Sequence, residues 1–128
     1  MSIKMLWGDP AKKTLRQIYM QTFDLSEWYE AVSQTCIMLN DVRHSVHMIL
    51  DLQAVDHIPV DWLEVLSHSK SRYHVNQSQH VMIVKPAHVK PVQTLLNTRD
   101  NIYKMTVVTS REEAKQLLAK SAHAAVAN

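Results

Sequence analysis

The chain is predicted to fold as a single α/β domain over residues 1–128, with a mixed, mostly parallel sheet, helices packed on it and the order β-β-α-β-α-β-α-β-α. Three observations carry that prediction. Two short, nearly continuous apolar runs, VHMIL at 46–50 and VMIV at 81–84, have the pattern of strands covered on both faces. The segments between and after them repeat their apolar residues at helical spacing. The alternation of the two patterns requires crossover connections and helices lying on the sheet.

Taken in order, IKMLW (3–7) and LRQIYMQT (15–22) flank a GDPAKK turn, which predicts an antiparallel hairpin at a sheet edge. In FDLSEWYEAVSQTCIMLNDV, Asp24 and Glu27 stand in capping-box register, and Leu25, Trp28, Val32, Cys36 and Leu39 form a helical stripe. After the strand VHMIL, Pro59 suits a first helical turn, and Trp62, Val65 and Leu66 give the crossover helix one apolar face. PAHVKPVQTLLNTR supplies a third helix through Val89, Val92, Leu95 and Leu96, with Pro91 expected in its first turn because an interior proline breaks a helix. IYKMTVV reads as the last strand. SREEAKQLL then opens with Ser110 and Glu113 in capping-box register and buries Ala114, Leu117 and Leu118. Residues 122–128 are expected to fray.

Composition narrows the function classes. Fourteen basic and 12 acidic side chains are spread along the chain, without the run of positive charge that a nucleic-acid stripe needs. The N-terminus lacks the charged and apolar regions of a secretory leader, and no apolar run reaches membrane-spanning length. A cytoplasmic protein with no membrane span and no nucleic-acid partner is the expectation. A lone cysteine, Cys36, excludes an internal disulfide, and its place on a helical stripe assigns it to the core. With Gly8 the only glycine, phosphate loops and nucleophile elbows, which need several, are absent.

The opening hairpin, the aspartate-ended strand VHMILD and the closing SREEAKQLL, in this order of elements, resemble the STAS superfamily, which includes anti-sigma-factor antagonists and domains of sulfate transporters. More narrowly, the chain resembles small stand-alone bacterial STAS-like proteins grouped with lipid-binding SEC14-type domains. In the antagonists a serine at the start of the helix after that strand is phosphorylated. The corresponding stretch here, DLQAVDHIPVDW, contains no serine, threonine or tyrosine, so the resemblance does not extend to that switch. Asp56 and Asp61 bring negative charge there, which near a helix N-terminus is ordinary dipole chemistry.

ILDLQAVDHIP followed by VMIVKP also resembles a response-regulator receiver, with Asp51 and Lys85 as its phosphate-handling pair. That reading fails because no acidic pair follows IKMLW to hold magnesium, and only one helix separates Asp51 from Lys85. The eight histidines include His44 and His47 at suggestive spacing, but zinc needs at least three protein ligands. No metal or other cofactor is expected. His68, His74, His80 and His123 are assigned to the surface, a strand start and the tail.

In α/β folds a small ligand is expected beyond the carboxyl ends of the parallel strands. That rule marks Asp51, Asp56, His57, Val60, Lys85 and His88 as the candidate ligand or partner surface. No catalytic residue is assigned among them. The sequence-based expectation is a non-enzymatic STAS-like interaction or regulatory domain, acting through a protein partner or self-association at residues 52–62. The alternatives are a carrier of lipid or another small apolar ligand and, third, a small enzyme using the strand-end Asp, His and Lys residues.

Overall fold

The computed structural model of the chain describes residues 2–68, 74–97 and 105–127. The elements follow the predicted order: β1 (Ile3–Trp7), β2 (Thr14–Tyr19), α1 (Leu25–Asn40), β3 (Val46–Asp51), α2 (Val60–His68), β4 (Gln77–Ile83), α3 (Pro86–Asn97), β5 (Thr106–Val108) and α4 (Arg111–Ala127). The β1–β2 hairpin is closed by Asp9. Its carboxylate accepts the backbone N–H groups of Lys13 at 3.0 Å and Thr14 at 2.9 Å, while Lys12, at φ 57°, makes the left-handed step that the turn requires. Strand β2 is shorter than the apolar run that predicts it. The chain leaves the ladder after Tyr19 and turns toward the β3–α2 loop, where the Gln21 carbonyl accepts from the Asp56 N–H at 3.1 Å.

The five strands lie in simple sequential order, β1-β2-β3-β4-β5, with β1 antiparallel to β2 and the remaining pairs parallel. That order has a geometric consequence. When each parallel strand is placed next to the last and every crossover has the same hand, all connecting helices fall on one side of the sheet. Packing follows this rule: Trp28 of α1, Trp62 and Leu66 of α2, and Val92 and Leu96 of α3 share one core with Leu15, Met48, Leu50 and Met82. Among the described residues the opposite face has only α4, whose Ala114 and Leu118 pack on Ile49, Val81, Ile83 and Val108. Along β2 the asymmetry shows residue by residue, with Leu15, Gln17 and Tyr19 buried under α1 and Thr14, Arg16 and Ile18 only half-buried on the α4 side.

The thicker face also contains a buried chain of hydrogen-bonded polar side chains. Tyr19 donates its hydroxyl to Gln17 Oε1 at 2.8 Å, and Gln17 Nε2 donates to Thr35 Oγ1 at 3.0 Å, tying the sheet to α1 through fully buried atoms. Tyr19, Phe23 and Trp62 form a cluster of tilted and edge-on rings with centroids 4.8–5.6 Å apart. This cluster fixes α2 against the sheet.

Several sequence expectations are adjusted in detail. The α1 capping box forms as predicted, but the fully buried stripe is Trp28, Ala31, Thr35 and Leu39, which leaves Val32 and Cys36 half-buried beside it. Cys36 is therefore not a core residue, although partial burial still raises its thiol pKa. Pro91 lies inside α3, in its second turn. The helix starts at Pro86, and the buried Val92 and Leu96 hold it together across the one backbone hydrogen bond that Pro91 cannot donate. His80 is buried within β4, which begins three residues earlier than predicted. The last strand is described only from Thr106, so the expected strand residues 102–104 lie outside the described residues, as do the side chains of His68 and His123. At the other end Ser110 caps α4 through the Glu113 N–H at 3.1 Å, and the helix continues to Ala127.

Candidate functional site

Of the six residues marked from sequence, the structure pairs Asp56 with Lys85 at 3.4 Å, with side chains 50% and 41% exposed. Asp51 closes β3 and is 7% exposed. Its partner is Arg16, which sequence reasoning did not select: Arg16 Nη2 lies 3.5 Å from Asp51 Oδ2. The other carboxylate oxygen accepts from the Gln53 backbone N–H and side-chain amide, both at 3.1 Å, which holds the start of the loop in an Asx-type turn. His57 is exposed, and Val60, the first residue of α2, is 66% exposed. His88 sits in the first turn of α3 with its Nδ1 buried and without a hydrogen-bond partner. This rim is a surface of locally satisfied charges with one prominent apolar side chain.

The strand-end rule that selected these residues applies where strand order reverses and two neighbouring crossovers diverge to opposite faces. Sequential strand order provides no such reversal here. The consequence of the one-sided helix layer appears elsewhere, on the face that α4 covers alone. A groove of about 490 Å³ runs there between α4 and the β1–β2 hairpin, and none of the six rim side chains lines it.

Each wall of the groove has a local cause. Its floor is the α4-facing side of β2, β3 and β4, represented by Arg16, Ile49 and Ile83. Arg111 and Lys115, four residues apart and hence on one helical face, line it with Leu118 and Ala119 from α4. The hairpin contributes Gly8, Asp9, Lys13 and Thr14, and the segment entering β3 contributes His44, Ser45 and His47. Arg16 registers with Ile49 on β3, so it reaches diagonally along the same face to Asp51. The Arg16–Asp51 pair is thereby the physical link between groove and rim.

The electrostatics of the groove are uneven. Among the described residues Asp9 is its only carboxylate, and both oxygens already take backbone N–H groups of the turn. Arg16 is engaged by Asp51, whereas Lys13, Arg111 and Lys115 have no carboxylate within ion-pair distance among the described residues. Burial holds the His47 imidazole pKa below its ordinary value, and its Nδ1 is buried with no hydrogen-bond partner. The His44–His47 pair that suggested metal binding lines this groove, but among the described residues no group of three potential ligands comes together.

A second depression lies on the outer side of the molecule between β1 and α1, bordered by Ile3, Met5, Met20, Ile37 and Met38. It opens beside the edge of β1, with Met20 and Ile37 exposed, and among the described residues its only charged border residue is Lys4. No helix among the described residues is long and apolar enough to cross a membrane. No protein-family model, curated protein or solved structure matches the chain.

Proposed function

We propose that this chain is a non-enzymatic, STAS-like binding domain that holds a small, partly apolar ligand in the groove between α4 and the β1–β2 hairpin. The observation that carries the reading is the groove itself: about 490 Å³, within the roughly 300–1,000 Å³ typical of small-molecule sites, with an apolar floor and convergent polar groups. It follows from covering one sheet face with three helices and the other with one. Of the two ligand-bearing alternatives raised by the sequence, carriage of a small apolar ligand therefore has more support than catalysis. The strand-end acids are committed to Arg16, Gln53 and Lys85, and no nucleophile and base are paired among them.

A plug tests the proposal. Ala119 is exposed at the groove wall, so Ala119→Trp fills the space without disturbing the core. Saturable, one-to-one binding of an amphipathic probe such as N-phenylnaphthylamine or its sulfonated derivative to the wild type, lost in Ala119→Trp at unchanged circular dichroism, supports the reading. Equal binding by both proteins, or binding by neither, contradicts it.

A second reading keeps the rim at residues 52–62 as a contact surface for a protein partner or a second copy. It is favoured by the exposed Val60 beside the Asp56–Lys85 pair. Cross-linking that is unchanged by the combined substitution of Asp56, His57 and Val60 removes it.

A further inference from the structure

We propose that the groove is built for an amphipathic anion: its carboxylate, phosphate or sulfonate group sits among Lys13, Arg16, Arg111 and Lys115, and its apolar body lies on Ile49, Ile83 and Leu118. The inference rests on the reading of the groove as a ligand site and adds the charge of the ligand. It starts from a local imbalance. The chain as a whole is nearly neutral, with 14 basic and 12 acidic side chains, yet the groove gathers four fixed cations against one carboxylate that the hairpin turn already occupies. Arg111 and Lys115 are placed one helical turn apart, where like charges repel, and no acidic side chain among the described residues lies within ion-pair distance of either. An anion between them and Lys13 relieves that repulsion and completes the site.

The position of the apolar residues sets the rest of the ligand. Ile49 and Ile83 face α4 from adjacent strands, two residues apart in register, and Leu118 meets them from above. A free inorganic ion satisfies only the cations and leaves this floor wet, so the complementary molecule carries both parts. Arg16 gives the site a built-in competitor, because the guanidinium that reaches the floor is held at 3.5 Å by Asp51. Binding an anion at Arg16 weakens that hold, and the Asp51 carboxylate is also the acceptor that organises Gln53 at the start of the rim loop. Occupancy of the groove is thereby coupled to the rim.

The test uses two probes with the same aromatic body, anilinonaphthalene sulfonate and the uncharged N-phenylnaphthylamine, titrated into the folded protein by fluorescence, with inorganic phosphate as a competitor. The sulfonate is expected to bind more tightly than its neutral parent by about tenfold or more, the scale of one or two charge-assisted hydrogen bonds. Arg111→Gln combined with Lys115→Gln, both at exposed helix positions, removes most of that preference, weakening the sulfonate far more than the neutral probe. Asp51→Asn keeps an acceptor oxygen for Gln53 but releases Arg16, and tightens sulfonate binding several-fold; a purely structural role for Asp51 would not strengthen it. Phosphate displaces the sulfonate only weakly if the apolar body matters, whereas full displacement at low phosphate concentration shows a plain anion site and overturns the amphipathic part of the proposal. Equal binding of the two probes, or a charge preference that survives the double substitution, overturns the anionic part and leaves the ligand-site reading standing. Binding of neither probe overturns both.

Discussion

The two faces of this sheet are made from the same strands and closed in different ways. One face lies under α1, α2 and α3, with Tyr19, Gln17 and Thr35 bonded in a buried chain and three aromatic rings locked together at one end. Among the described residues the other lies under α4 alone, which covers β3 to β5 and leaves a charged groove over β2 and β3. The difference teaches that strand order, more than local sequence, decides where a cleft forms. Sequential parallel strands send every crossover to one side, so the opposite side is covered only by what the chain does after its last strand.

Substitutions on the two faces should therefore differ in kind. The largest effect is expected for Trp62→Ala on the thick face. Its ring is fully buried against Tyr19 and Phe23, and its loss should cost about 3–5 kcal/mol in urea denaturation. Leu118→Ala on the thin face should cost less, about 2 kcal/mol, because the space it leaves joins an open groove that water can fill. A loss as large as that of Trp62→Ala would mean that the α4 face is as closed as the other.

His47 should produce a smaller, pH-dependent effect. Burial lowers its folded-state pKa, so the unfolded chain takes up the proton first. The wild type should therefore lose stability as the pH falls from the unfolded value, about 6.5, through the lower folded value. His47→Gln removes that part of the slope, which melting curves collected between neutral and mildly acidic pH will show. The smallest effect belongs to the rim: Lys85→Met should change stability by less than about 0.5 kcal/mol, since the Asp56–Lys85 pair is half in water. A larger change would assign the rim a structural role that its exposure does not suggest.

The order of elements, the sheet's central strands and the α1 capping box were all legible in the sequence, because each leaves a local pattern of two or three residue types. Asp51 and Lys85 were recognisable as strand-end residues for the same reason. The groove was not legible. Lys13, Arg16, His44, His47, Arg111 and Lys115 come from separate segments, and only strand order and the side on which α4 packs bring them together. The local signals were the His44–His47 spacing, which pointed to metal, and Arg111 with Lys115 at one-turn spacing, which in isolation read as a solvated helix face. Pro91 shows the opposite limit, where a strong local rule places a residue in a first turn and the tertiary packing of Val92 and Leu96 sets it one turn later.

A titration of the isotopically labelled protein with decanoate, followed by backbone amide NMR, tests the central claim most directly. Binding in the groove predicts saturable shifts concentrated at Gly8, Lys13, Ile49, Ile83 and Leu118, with a secondary response at Gln53 through the Arg16–Asp51 pair. Shifts confined to residues 56–60, Lys85 and His88, with the groove amides unmoved, would place the working surface at the rim and contradict the account.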